Sequence, residues 1–186
     1  MKKIIVAFLM CILIISGCTP KDDTSDIENN NEVNKLKEKV KALESELEKK
    51  EAYIESIKEQ EDLFPVLSNK ALTFVRGQTE GNIHKLKEVI SDNISIVEEK
   101  GKIYGVYEAY GQKIKYLLYD ENSKRKYKDM VIQGYGYLEG EDSYIIHIRE
   151  FYVDENDKPV SPPTFLNLYF VQVDGNWKIE EFGFDV

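Results

Sequence analysis

The chain has 186 residues, with 25 Lys and Arg against 34 Asp and Glu, a formal charge of −9. A surface of that sign repels nucleic acid and anionic lipid headgroups, so no nucleic-acid partner is expected. The length suits one ordinary domain plus an extension.

Met1-Lys2-Lys3 places positive charge ahead of an uncharged apolar run, Ile4 to Ile15. At roughly 12 residues, the run is too short to cross about 30 Å of hydrocarbon at 1.5 Å per residue. It has the order of an export signal over residues 1–17. The run ends Ile15-Ser16-Gly17-Cys18, an aliphatic residue, two small residues and a cysteine. This resembles the lipobox of bacterial lipoproteins. The resemblance implies cleavage before Cys18, a diacylglyceryl thioether on its sulfur, and a chain held by lipid on the extracytoplasmic face of a membrane. Two acyl chains suffice for stable anchoring. Cys11, the other cysteine, would leave with the signal, so no intrachain disulfide or cysteine metal site is expected. Loss of Lys2 and Lys3 would leave the remainder more acidic still.

Residues 18–32 follow the lipobox as TPKDDTSDIENNNE behind Cys18, with Ile27 as the one aliphatic side chain. Too little apolar surface is present to order the segment, which reads as a tether. From Val33 the spacing changes to alternating steps of three and four: Val33, Leu36, Val40, Leu43, Leu47, Lys50, Ile54, Ile57, Glu61 and Phe64. Residues 33–62 are therefore expected to form a charged helix. Two readings stay open. In a parallel coiled coil, chains would pair through Val33, Leu36, Val40, Leu43, Leu47, Ile54 and Ile57. Lys39 would then meet a neighbour's Glu44 favourably, whereas Glu46 would repel Glu51. In the other reading, a lone helix folds back on its own domain or forms only in part.

Residues 63–186 have the composition of a globular domain. Val66, Leu67, Ala71, Leu72, Phe74 and Val75 predict a short helix after Pro65, broken at Gly77 to Asn82. Ile83, Leu86, Val89 and Ile90 predict a second. Short β-rich runs follow at Ile94 to Val97 and Ile103 to Tyr107, then an ambiguous one at Lys113 to Tyr119. Four longer strands are expected at Met130 to Leu138, Tyr144 to Val153, Thr164 to Val173 and Trp177 to Phe184. Asp174-Gly175 between the last two is a hairpin signal. Helices first and an antiparallel meander afterwards define an α+β domain.

Phe74-Val75-Arg76-Gly77 closing one helix, Gly81-Asn82 opening the next, and the closing hairpin Val171-Gln172-Val173-Asp174-Gly175-Asn176-Trp177-Lys178-Ile179 resemble the nuclear transport factor two-like superfamily. The resemblance implies a curved antiparallel sheet wrapped over two short helices as a cone, with a pocket inside and Trp177 closing one end. Some members are ketosteroid isomerases or polyketide cyclases; many are binding or dimerisation modules, so fold alone does not assign function. Alternation independently puts Trp177 beside Ile179, where it is expected to be core.

An enzyme of that kind needs a titratable pair in its pocket. The chain has two histidines. His84 opens the second short helix and is expected on the surface. His147 lies on a strand whose faces are Ile145, His147, Arg149, Phe151, Val153 and Tyr144, Ile146, Ile148, Glu150, Tyr152. With Arg149 it would suit an anion in a polar pocket, and Tyr135, Tyr137 and Tyr169 complete the pocket candidates. The acidic turns around Glu139, Glu141 and Asp142 and at Asp154, Glu155 and Asp157 lack an EF-hand's spacing, and no nucleophile elbow, phosphate loop, HExxH or CxxC is present. No catalytic residue, metal or cofactor is therefore assigned. The leading reading is a non-enzymatic binding or interaction module for a peptide, envelope component or small ligand.

Overall fold

A computed structural model describes residues 23–109, 111–138, 140 and 142–185, with side chains from Asn30 onward. The signal segment and Cys18 lie outside the described residues, as do Glu139 and Glu141. The chain divides into two compact units, Met1–Tyr53 and Ile54–Val186.

The architecture is α+β: two helices and two antiparallel sheets. Helix α1 runs Asp23–Glu80. It therefore begins inside the segment expected to be a tether. In the first unit every described side chain is exposed, including Val33, Leu36, Val40, Leu43 and Leu47 at 44 to 56%. The expected seam is thus an uncovered apolar stripe, and its polar member Lys50 pairs with Glu46 at 2.8 Å.

In the second unit the expected separate helix after Pro65 does not exist: α1 passes through Pro65 and continues to Glu80. A proline inside a helix loses one hydrogen bond and crowds the preceding turn, a cost of about 3 kcal/mol. Burial opposes that cost. Leu67, Ala71, Phe74 and Val75 are fully buried on one side, while Pro65 itself is exposed. Gly77 does not break the helix either. It lets α2 approach, since a Cβ there would lie 2.9 Å from Leu86 Cγ. The stop comes at Gly81, whose φ of 68° only glycine adopts cheaply. Asn82 N–H donates to Gly77 O at 2.8 Å and Gly81 N–H to Gln78 O at 3.4 Å, the paired bonds of a Schellman end. Asn82 then caps α2, Ile83–Val89, accepting from Lys85 N–H at 3.1 Å.

Strands β1 (Ser95–Glu99), β2 (Lys102–Ala109) and β3 (Gln112–Asp120) form one sheet in that order. Strands β4 (Lys126–Leu138), β5 (Ser143–Val153), β6 (Thr164–Val173) and β7 (Asn176–Asp185) form the other. The single curved sheet expected from the sequence is therefore two. Every connection within a sheet contains a left-handed residue, namely Lys100 and Gly101, Gly111, Gly140 and Asp142, Asp157, or Asp174 and Gly175. The stretch between β3 and β4 has none among the described residues, and β4 does not pair with β3. Asp174 and Gly175, at φ 49° and 77°, supply the pair of left-handed residues that a two-residue hairpin requires.

The core lies where α1, α2 and both sheets meet. Phe182 of β7 is its hub, with ring centroids 5.2 Å from Phe74, 5.4 Å from Tyr107 and 5.7 Å from Tyr116. Tyr107 O–H donates to the Phe182 carbonyl, tying β2 to β7. A methyl group at Gly105 would overlap the Phe182 ring. Trp177 differs from expectation. It shares a face with buried Ile179 but is only half-buried, edge-on to Tyr144 at 5.2 Å. Its truncation should therefore cost less than the about 3 to 5 kcal/mol of a fully enclosed tryptophan.

Candidate functional site

The pocket candidates fall on opposite faces of the β4–β7 sheet. Bulges decide which. The pairing of β4 with β5 skips a residue between Tyr127 and Asp129 and again between Ile132 and Gly134. Each skip shifts the alternation, so Tyr127, Met130, Ile132, Tyr135 and Tyr137 all lie across from the Tyr144, Ile146, Ile148, Glu150, Tyr152 face of β5. That face is the core side.

Tyr135 is stacked on Tyr144 at 5.5 Å, lies 5.0 Å from Phe64, and donates to Gln60 O at 3.1 Å. Burial pushes its phenol up to about 12. Tyr137 is more exposed, 4.9 Å from Tyr144, and donates to Asp142 at 3.1 Å. Tyr135 and Trp177 pack on the core beside Tyr144, while Tyr137 stays exposed at its edge. The two tyrosines are packing residues, with their hydroxyls already spent.

His147, Arg149 and Tyr169 occupy the outer face. His147 is exposed, its Nδ1 2.6 Å from Asn167 Oδ1, and Asn167 Nδ2 donates to Asp185 at 2.8 Å. These groups line a shallow pocket of about 350 Å³ with Gln133, Gly134 and Phe165. Arg149 is half-buried, its guanidinium 5.0 Å from the Phe165 ring and its Nε enclosed without a hydrogen-bond partner. Tyr169 is half-buried opposite Ile145 and Glu181. Asp185 puts a carboxylate where an anion would have to bind, which weighs against the pairing of His147 with an anion. His84 is exposed on α2.

A larger concavity, about 1050 Å³, lies over the exposed face of the β1–β3 sheet. Val97, Val106 and Ala109 give it apolar surface; Asp92, Glu108 and Glu180 carry carboxylates at it, and Lys113 and Lys115 ammonium groups. Lys115 is held 2.9 Å from Glu99 and 4.0 Å above the Tyr104 ring. Asn93 donates to Glu180. These pairs are exposed and contribute little to stability, so their main effect is on the charge pattern a partner would meet.

The residue that pattern reading passed over is Glu150. Its side chain is fully buried on the core face of β5. Gln78 Nε2 donates to one carboxylate oxygen, and Tyr152 O–H to the other at 3.0 Å. Burial lifts Glu150 to about 7, only partly opposed by the Tyr152 hydrogen bond. The signal was present: in the alternating set Tyr144, Ile146, Ile148, Glu150 a carboxylate occupies an apolar face. By contrast, Asp154 spends its carboxylate on the backbone, accepting from Asn156 N–H at 2.8 Å and Lys158 N–H at 2.9 Å. Those bonds hold it below the usual carboxylate range and give the turn a structural role. Among the described residues no group of three or more His, Cys, Asp or Glu is placed to hold a metal, and no helix is long and apolar enough to cross a membrane.

No protein-family model, curated protein or solved structure matches the chain.

Proposed function

We propose that the chain is an extracytoplasmic lipoprotein, anchored through lipid on Cys18, whose α+β domain is a non-enzymatic binding module of the nuclear transport factor two-like kind. The observation that carries the binding role is the open groove on the β1–β3 sheet, whose lining mixes apolar side chains with charged groups of both signs. Such a mixture suits a peptide or envelope component: apolar area supplies affinity and placed charges supply orientation. The isomerase or cyclase alternative rests on Glu150, a carboxylate of raised pKa among apolar neighbours. Gln78 and Tyr152 already occupy both of its oxygens, and the larger concavities are lined by other residues, so the binding reading is preferred.

Its test is recovery of partners from a cell-envelope extract by the mature protein. Glu108→Arg reverses a charge at the groove, whereas Glu155→Arg makes the same change at a distant turn. A partner kept by the second variant and lost by the first supports the groove. Equal recovery by both contradicts it.

The exposed stripe fits a second copy of the same chain, because its three-and-four spacing is that of a two-sided helical seam and lipid anchors would set neighbouring chains parallel. Replacing Leu36, Leu43 and Leu47 together by Asp is expected to convert an oligomer into a monomer in sedimentation. An unchanged mass would end the coiled-coil proposal.

A further inference from the structure

We propose that the outer face of the β4–β7 sheet carries a second site, centred on His147, for a neutral saccharide. One cross-strand row runs Gly134, His147, Asn167, Gly183, so two polar side chains stand between two positions that have none. The clearance is needed at Gly134, where a Cβ would come within 3.0 Å of His147 Cδ2.

The hydrogen-bond chain fixes the chemistry offered. Asn167 gives its Nδ2 to Asp185, so its Oδ1 faces His147, and an oxygen can only accept. The His147 proton is therefore on Nδ1. In the neutral imidazole this leaves the Nε2 lone pair as an acceptor beside Gln133, which both donates and accepts. The Asp185 carboxylate adds further acceptors. The ligand must bring several donors with some acceptors, the pattern of adjacent hydroxyls. Phe165 contributes apolar surface to the same pocket, against which the C–H side of a sugar ring can pack. Charge then selects neutrality. Asp185 disfavours an anion, and the Arg149 guanidinium, already 5.0 Å from the Phe165 ring, disfavours a cation on that ring. A pocket of about 350 Å³ has the size of a one-ring subsite.

The test uses histidine signals, which come only from His84 and His147. With ¹⁵N-histidine in the full chain, held in a zwitterionic detergent, His147 should carry a proton on Nδ1, the nitrogen that faces Asn167 Oδ1. Adding tri-N-acetylchitotriose or maltotriose should then move the His147 signals with saturation in the millimolar range and leave those of His84 still. Phe165→Leu, which keeps apolar volume but loses the ring face, should weaken the response about tenfold. Asn167→Ala should release the fixed tautomer. No movement with either sugar overturns the proposal. So does the same response to glycerol at matched hydroxyl concentration, a response to inorganic phosphate instead, or full retention in Phe165→Leu.

Discussion

Phe182→Ala is expected to cost about 4 kcal/mol of folding free energy, a large part of the roughly 5 to 15 kcal/mol such a domain has. The side chain is fully buried and its ring meets others from α1, β2 and β3. Its removal therefore opens a cavity where α1 and both sheets meet. The surroundings cannot close in, because the Tyr107 hydroxyl is fastened to the backbone of residue 182 and Phe74 is fixed on a helix. Phe182→Leu fills part of the gap and should lose clearly less. Denaturant titration followed by circular dichroism measures both. An alanine variant within about 1 kcal/mol of the parent would mean that the sheets do not share this core.

Glu150→Gln is expected to stabilise the protein by on the order of 2 to 3 kcal/mol at pH 8 and to change little near pH 4. The sign follows from the raised pKa. The native carboxyl holds its proton up to about 7, while the unfolded chain releases it near 4.5. Between those values the native state binds more protons than the unfolded state, so stability falls as pH rises through this window. Above it the folded protein carries a buried charge facing Gln78, Tyr152 and, from β4, Met130 and Tyr127. Glutamine keeps the shape and removes the charge. The same midpoint difference at pH 4 and pH 8 would show that Glu150 is solvated or otherwise neutralised.

Glu150 also marks where pattern reading stops. Features with a local signature were legible: the Asp174-Gly175 hairpin, a second helix opening from Gly81-Asn82, and the two alternating residue sets of β5, though not which of the two faces the core. Features decided by distant partners were not. Pro65 has the local chemistry of a helix break, and only burial of the Leu67 and Phe74 face overrides it. In β4, period-two alternation fails twice because bulges insert residues without any marked composition, so Tyr135 and Tyr137 move to the core face and away from His147. The division into two sheets is set by which strands pair, and the short link between β3 and β4 carries no local mark of it. The groove was hidden for a similar reason. Its surface combines β1, β2, β3 and β7, and no stretch of sequence contains it.

The proposed membrane anchoring rests on Cys18. It is to be tested by growing cells with an alkyne-bearing fatty acid and comparing the parent chain with Cys18→Ala. The parent should take up label and sediment with membranes until detergent is added. The variant should take up none and either remain unprocessed or appear in the soluble fraction, since the acyl chains are the proposed anchor. Label in the variant, or an unlabelled parent that is still processed and soluble, would contradict the lipoprotein reading.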